Sequence, residues 1–120
     1  MDSKMSQSIS GRVIRGDGYG RKLGFPTVNL EVKDMTLPKA GVYTGKATLM
    51  SNTRCLTYRA GIVIGPGEKV EAHLIGYSGD AYGQEVILEV EKFIREYKNF
   101  ATEAELITQI KKDLEQCSLE

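Results

Sequence analysis

Apolar residues in this chain recur at every second position in a series of short runs, and that period of two narrows the available folds more than any other feature. Ile9, Gly11 and Val13 alternate with Ser10 and Arg12. Thr27 to Leu30 is strand-like and is entered through Pro26. Val42 to Met50 is rich in strand-favouring residues, Tyr43, Thr44 and Thr48 among them. Leu56, Tyr58, Ala60, Ile62 and Ile64 alternate cleanly, as do Val70, Ala72 and Leu74, and then Val86, Leu88 and Val90. Glycine-bearing turns separate the runs, at 16–24, at Gly65-Pro66-Gly67 and at 79–83. Six short strands joined in this way predict a mainly β chain whose antiparallel sheet closes into a barrel, because an open sheet of six would leave edges exposed.

One stretch departs from this period. Thr102-Glu103-Ala104-Glu105 has the spacing of a capping box, and behind it Leu106, Ile107, Ile110, Leu114 and Cys117 fall on one stripe at helical spacing. The sequence therefore predicts a C-terminal α-helix packed on the barrel, with Lys111 and Lys112 placed to suit its dipole. Residues 1–8 read as a disordered polar tail and 9–118 as one barrel domain. At 120 residues, such a chain can bury a core without disulfide staples.

Composition excludes several classes of function. Sixteen basic residues balance sixteen acidic ones, which argues against a nucleic-acid partner and against a polybasic membrane anchor. No apolar run is long enough to cross a membrane, and the polar N-terminus lacks the core of a signal peptide. Cys55 and Cys117 have no framework or metal-site spacing. A cytoplasmic, monomeric protein with small-molecule partners is the expectation.

The most informative segment runs from Gly16 to Asn29. Gly16, Gly18, Gly20 and Gly24 allow backbone amides to approach an anion closely, and Arg21 and Lys22 add charge to the same loop. Thr27 and Asn29, two apart on a strand, face the same way and offer a hydroxyl and an amide oxygen, hard ligands suited to a magnesium ion that keeps several waters. Neither a Walker loop nor a dinucleotide fingerprint is present, since Arg21 stands where the third glycine would be and a strand follows. On spacing alone, a phosphate cradle and a solvated glycine-rich hairpin loop fit equally well. Further on, Val70, Ala72 and Leu74 face one way while Glu71 and His73 face the other. Glu71 can be read as a general base or as an exposed strand carboxylate. His73, the sole histidine, reads as a strand residue and not a metal ligand.

The ordered series of landmarks resembles the riboflavin kinase family, found alone or as the C-terminal module of bifunctional FAD synthetases. Gly24-Phe25-Pro26-Thr27-Val28-Asn29-Leu30 looks like its signature. Leu37-Pro38 with Gly41-Val42-Tyr43, then Val70-Glu71-Ala72-His73-Leu74, Asp80-Ala81-Tyr82-Gly83, Phe93-Ile94-Arg95, Phe100, Leu106 and Asp113 follow in the family's order. The match covers nearly the whole chain from Gly11 to Asp113. It departs after the fourth strand, where Ile64-Gly65-Pro66-Gly67-Glu68 is shorter than the family's element and lacks its threonine.

The resemblance implies a six-stranded Greek-key barrel with a C-terminal helix. It implies transfer of the γ-phosphoryl group of ATP, with Mg²⁺, to the ribityl 5′-hydroxyl of riboflavin, giving FMN. By position, Thr27 and Asn29 would hold the metal, while Gly16, Gly18, Gly20, Arg21, Lys22 and Thr27 would bind the nucleotide. Glu71 would be the catalytic base, and Arg95 and Tyr82 would lie on the flavin side. A catalytically weak flavin-binding or regulatory module derived from such a kinase is the alternative. With no nucleotidyltransferase module in these 120 residues, the product expected is FMN and not FAD.

Overall fold

Each alternating run becomes a strand because its apolar positions can all be buried on one side of a pleated sheet. The computed structural model describes residues 7–14, 27–32, 35–51, 54–77, 82–98 and 101–118. Its elements are β1 (Gln7–Ile14), β2 (Thr27–Glu31), β3 (Gly41–Met50), β4 (Cys55–Gly65), β5 (Lys69–Leu74), β6 (Glu85–Arg95) and a helix, α1 (Glu103–Ser118). The strands lie where the period-two runs predict them. β1 begins two residues early: Gln7 and Ser8, expected in the tail, pair with Val90 and Glu89 of the long β6.

The sheet closes on itself in the order β1-β2-β5-β4-β3-β6, every pairing antiparallel. Strands β3, β4 and β5 follow one another as hairpins, and β2 lies beside β5, which is Greek-key order. The β2–β3 connection must therefore pass two strands, and on the way Val32, Met35 and Leu37 pack against the core.

Val28, Leu30, Ala60, Ile62, Ile64, Val70, Ala72, Leu74, Val86, Leu88 and Val90 all point inward and are buried. Burying each of the larger ones stabilises the fold by about 2 kcal/mol. A six-stranded barrel is narrow, so small residues share the lumen with large ones. Gly45 shows the constraint: a Cβ there would land on the Glu89 carbonyl oxygen and within 2.6 Å of the Ile62 Cδ1. The β3–β6 register shifts between Thr44 and Gly45, so the missing side chain permits both the bulge and the close approach. Tyr43 fills the space nearby, edge-on to Phe93 with ring centres 5.3 Å apart, and its hydroxyl donates to the Lys39 carbonyl at 2.7 Å. Burial, with help from the Glu96 carboxylate, raises the pKa of that phenol.

The helix starts as its capping box predicts, the Glu105 amide donating to the Thr102 hydroxyl at 3.2 Å. It lies on the outer side of β4 and β3. Ile110 is buried there and Ile107 and Leu114 are half-buried, while the side chains of Leu106 and Cys117 fall outside the described residues. The expected help from the dipole is absent: α1 runs on to Ser118, its last turn holds no basic residue, and the dipole's influence fades within one turn.

Candidate active site

Since Val28 and Leu30 of β2 and Val70, Ala72 and Leu74 of β5 point into the lumen, the residues between them must point out. Register then decides which of them meet. Thr27 stands opposite His73, and Asn29 stands opposite Glu71. Residues directly opposite in an antiparallel pair have Cα atoms about 5 Å apart, and alternate residues along a strand are roughly 7 Å apart. The four side chains thus form a polar patch some 5 by 7 Å across. All four are half-buried. The shortened turn before Glu71 does not disturb this: Gly65 pairs with Lys69, and the three-residue link closes with Gly67 at φ 73° and Glu68 at φ 62°.

Inside the patch, the Thr27 Oγ1 and the His73 Nδ1 are 2.9 Å apart, a hydrogen bond whose direction depends on the tautomer. His73 keeps some surface, yet its ring is packed among enough protein atoms that burial lowers its pKa to about 4, against a weaker opposing pull from the Asp113 carboxylate. The imidazole is neutral at physiological pH.

The register continues around the barrel. Glu71 is opposite Val63 of β4, Val63 opposite Val42 of β3, and Val42 opposite Arg95 of β6. Arg95 is therefore four strand spacings from Asn29, roughly 19 Å along the curved sheet. Its guanidinium is held by α1: Nε donates to the Asp113 Oδ1 at 3.1 Å and Oδ2 at 3.3 Å, and Nη2 donates to Oδ2 at 2.8 Å. Gln109 donates to the same carboxylate at 3.0 Å. Asp113 is almost fully buried, and the bidentate pair clamps the helix to the end of β6.

In the other direction, Ile14 of β1 stands opposite Asn29. Beyond it, the Gly83 amide donates to the Val13 carbonyl at 3.0 Å, so the turn carrying the exposed Tyr82 adjoins the Asn29 side of the patch. Tyr82 and Arg95 consequently lie at opposite ends of β6, more than 20 Å apart along the strand. The two candidate flavin contacts are not brought together, whereas Thr27, Asn29 and Glu71 are.

Gly16, Gly18, Gly20, Arg21 and Lys22 lie outside the described residues. Sequence reasoning missed two residues here: His73 as the partner of Thr27, and Asp113 as the partner of Arg95. For His73 the available signal was its shared parity with Glu71; for Asp113 it was a carboxylate three residues from Ile110, on the stripe that packs inward. At the far end of the β2–β5 ladder, Val32, Met35, Thr36, Leu37 and Glu68 line an open recess of about 400 Å³.

Among the described residues no three histidine, cysteine, aspartate or glutamate side chains gather as a metal site. A hydroxyl and an amide oxygen on one strand, with a carboxylate alongside, fit a hard cation that takes its remaining ligands from water and from substrate phosphates. The donor set suits magnesium arriving with a nucleotide.

Fold and site together define a closed Greek-key barrel that bears its polar site outside the lumen, on the sheet's outer face. The chain belongs to the riboflavin kinase family, whose pattern (Flavokinase) matches residues 3–119. Over 111 residues it is 36% identical to the bifunctional riboflavin kinase/FMN adenylyltransferase of Escherichia coli (strain K12), covering 88% of this chain and 35% of that protein. The corresponding protein of Haemophilus influenzae is also 36% identical over 111 residues, covering 89% of this chain and 36% of its own length. The chain thus spans about a third of the curated relatives it matches.

Among solved structures, riboflavin kinase from Trypanosoma brucei superposes with a TM-score of 0.75 at 24% identity, covering 92% of this chain and 76% of that one, and shares the fold. A protein from Streptococcus pneumoniae named a macrolide-efflux protein superposes with a TM-score of 0.83 at 27% identity, over 92% of this chain and 38% of that one. Among the described residues here, no helix is long and apolar enough to cross a membrane.

Proposed function

We propose that the chain is a riboflavin kinase in action as well as in family, transferring the γ-phosphoryl group of ATP to the ribityl 5′-hydroxyl of riboflavin and releasing FMN and ADP. The observation that supports this reading is the pairing of Asn29 with Glu71 beside Thr27 and His73, which puts hydroxyl, amide and carboxylate oxygens on one face. In this reading the Glu71 carboxylate takes the proton of the 5′-hydroxyl as that oxygen bonds to the γ-phosphorus. The bond from phosphorus to the β–γ bridging oxygen breaks, and its electrons leave on ADP.

Thr27 and Asn29 would hold Mg²⁺ through their oxygens, and the metal would neutralise charge on the phosphates. Gly16, Gly18, Gly20, Arg21 and Lys22 would supply amide and cationic donors to the nucleotide. Tyr82, on the turn adjoining the Asn29 side, would meet the flavin ring. Arg95 serves the flavin side through the position of α1, its guanidinium being engaged by Asp113.

Incubating the purified chain with riboflavin, Mg²⁺ and a panel of nucleoside triphosphates, and separating flavins by chromatography with fluorescence detection, tests the proposal. FMN should form with the wild-type chain, and Glu71→Gln should lower turnover by about 10²–10⁴-fold with the fold intact. Flavin binding without any FMN would favour the non-catalytic flavin-binding module instead. Unimpaired turnover in Glu71→Gln would remove Glu71 from the role of base.

A further inference from the structure

A hydroxyl carries one proton and two lone pairs, so a threonine that serves a cation must send its proton elsewhere. Here the Thr27 hydroxyl meets a nitrogen, His73 Nδ1, at 2.9 Å. The register fixes that meeting, since Thr27 and His73 are directly paired across β2 and β5. On its other flank His73 is paired with Gly61, which brings no side chain to compete for the ring.

We infer that His73 is a positioning residue for the phosphoryl-transfer site: as the Nε2–H tautomer, its Nδ1 accepts the Thr27 hydroxyl proton and so turns the Thr27 lone pairs toward the cation. The inference rests on the kinase reading for its purpose, but the hydrogen-bond direction is a property of this chain alone. His73 does not touch the reacting atoms; it acts through Thr27. The opposite polarity, with Nδ1–H donating, would use one of the two Thr27 lone pairs and leave the hydroxyl proton competing with the other for the side that faces the cation.

The chain contains a single histidine, so its ring nitrogens give one unambiguous pattern in a long-range ¹H–¹⁵N spectrum of the ¹⁵N-labelled protein. At neutral pH the pattern should be that of the Nε2–H tautomer, and Thr27→Val should shift the Nδ1 resonance. A spectrum of the Nδ1–H tautomer, or one unaffected by Thr27→Val, would overturn the inference. Titration of Mg²⁺ in the presence of ADP, followed by calorimetry, gives a second readout without turnover. His73→Leu should raise the Mg²⁺ needed for half-saturation about tenfold, the worth of one lost polar contact at a charged site. His73→Asn, whose Oδ1 can take the place of Nδ1, should recover most of that loss.

Unchanged Mg²⁺ dependence in a folded His73→Leu protein would overturn the positioning role. If the wild-type chain binds Mg²⁺ and ADP with the predicted tautomer yet never phosphorylates riboflavin, the kinase reading fails and the orientation of Thr27 stands.

Discussion

Replacing Asp113 by alanine should loosen α1 from the barrel, and the structure sets the size of the effect. Asp113 is almost fully buried and accepts three hydrogen bonds from Arg95 within 3.3 Å, plus one from Gln109 at 3.0 Å. Removing one partner of such a pair leaves the other charge uncompensated, at a cost of about 3–5 kcal/mol when both are fully buried. The Arg95 side chain keeps 24% of its surface and can be partly rehydrated, which places the expected loss lower, at about 2–4 kcal/mol. For a chain of this size each kilocalorie lowers the melting temperature by roughly 3–5 °C, so Asp113→Ala should melt about 6–20 °C below wild type.

Urea denaturation followed by circular dichroism would measure the loss, and the double variant Arg95→Met/Asp113→Leu should recover much of it by removing both charges together. A loss below about 0.5 kcal/mol would refute the reasoning, because it is the size of an ordinary surface substitution. So would a double variant no more stable than the sum of the singles, since the two side chains would then be energetically independent.

Gly45→Ala should cost about 2–3 kcal/mol in the same assay, because the added methyl meets the Glu89 carbonyl and the Ile62 side chain; a neutral result would mean that the bulge can yield. His73 should also make stability depend on pH. Its folded pKa of about 4 lies below the ordinary value of 6.5, so the unfolded chain binds the proton more readily between those values. The contribution is complete above pH 6.5 and is lost as pH falls toward 4, amounting to about 3 kcal/mol or less. Comparing urea midpoints at pH 7.5 and 4.5 should show a smaller drop in His73→Asn than in wild type, and equal drops would contradict the assignment.

The strands and the cap of α1 were legible in the sequence because both arise from local periods: alternate positions on a strand face opposite ways, and a threonine three residues before a glutamate can satisfy free amides wherever it occurs. Parity also placed Thr27 with Asn29 and Glu71 with His73. What parity cannot state is which strand lies beside which, and only the closed order, β2 against β5 and not β3, puts Asn29 opposite Glu71. The same holds for Arg95, read as a flavin-side residue but turned toward α1, and for the separation of Arg95 from Tyr82 along β6.

Sequence by itself determined a barrel's worth of strands, a capped helix and two pairs of outward polar residues. Tertiary structure alone decided that those pairs adjoin, that His73 meets the Thr27 hydroxyl and that Asp113 is buried on Arg95. The reason is physical: side-chain direction follows from the dihedral angles of neighbouring residues, whereas register and closure are collective, chosen by which arrangement buries every inward face and leaves no strand edge unpaired.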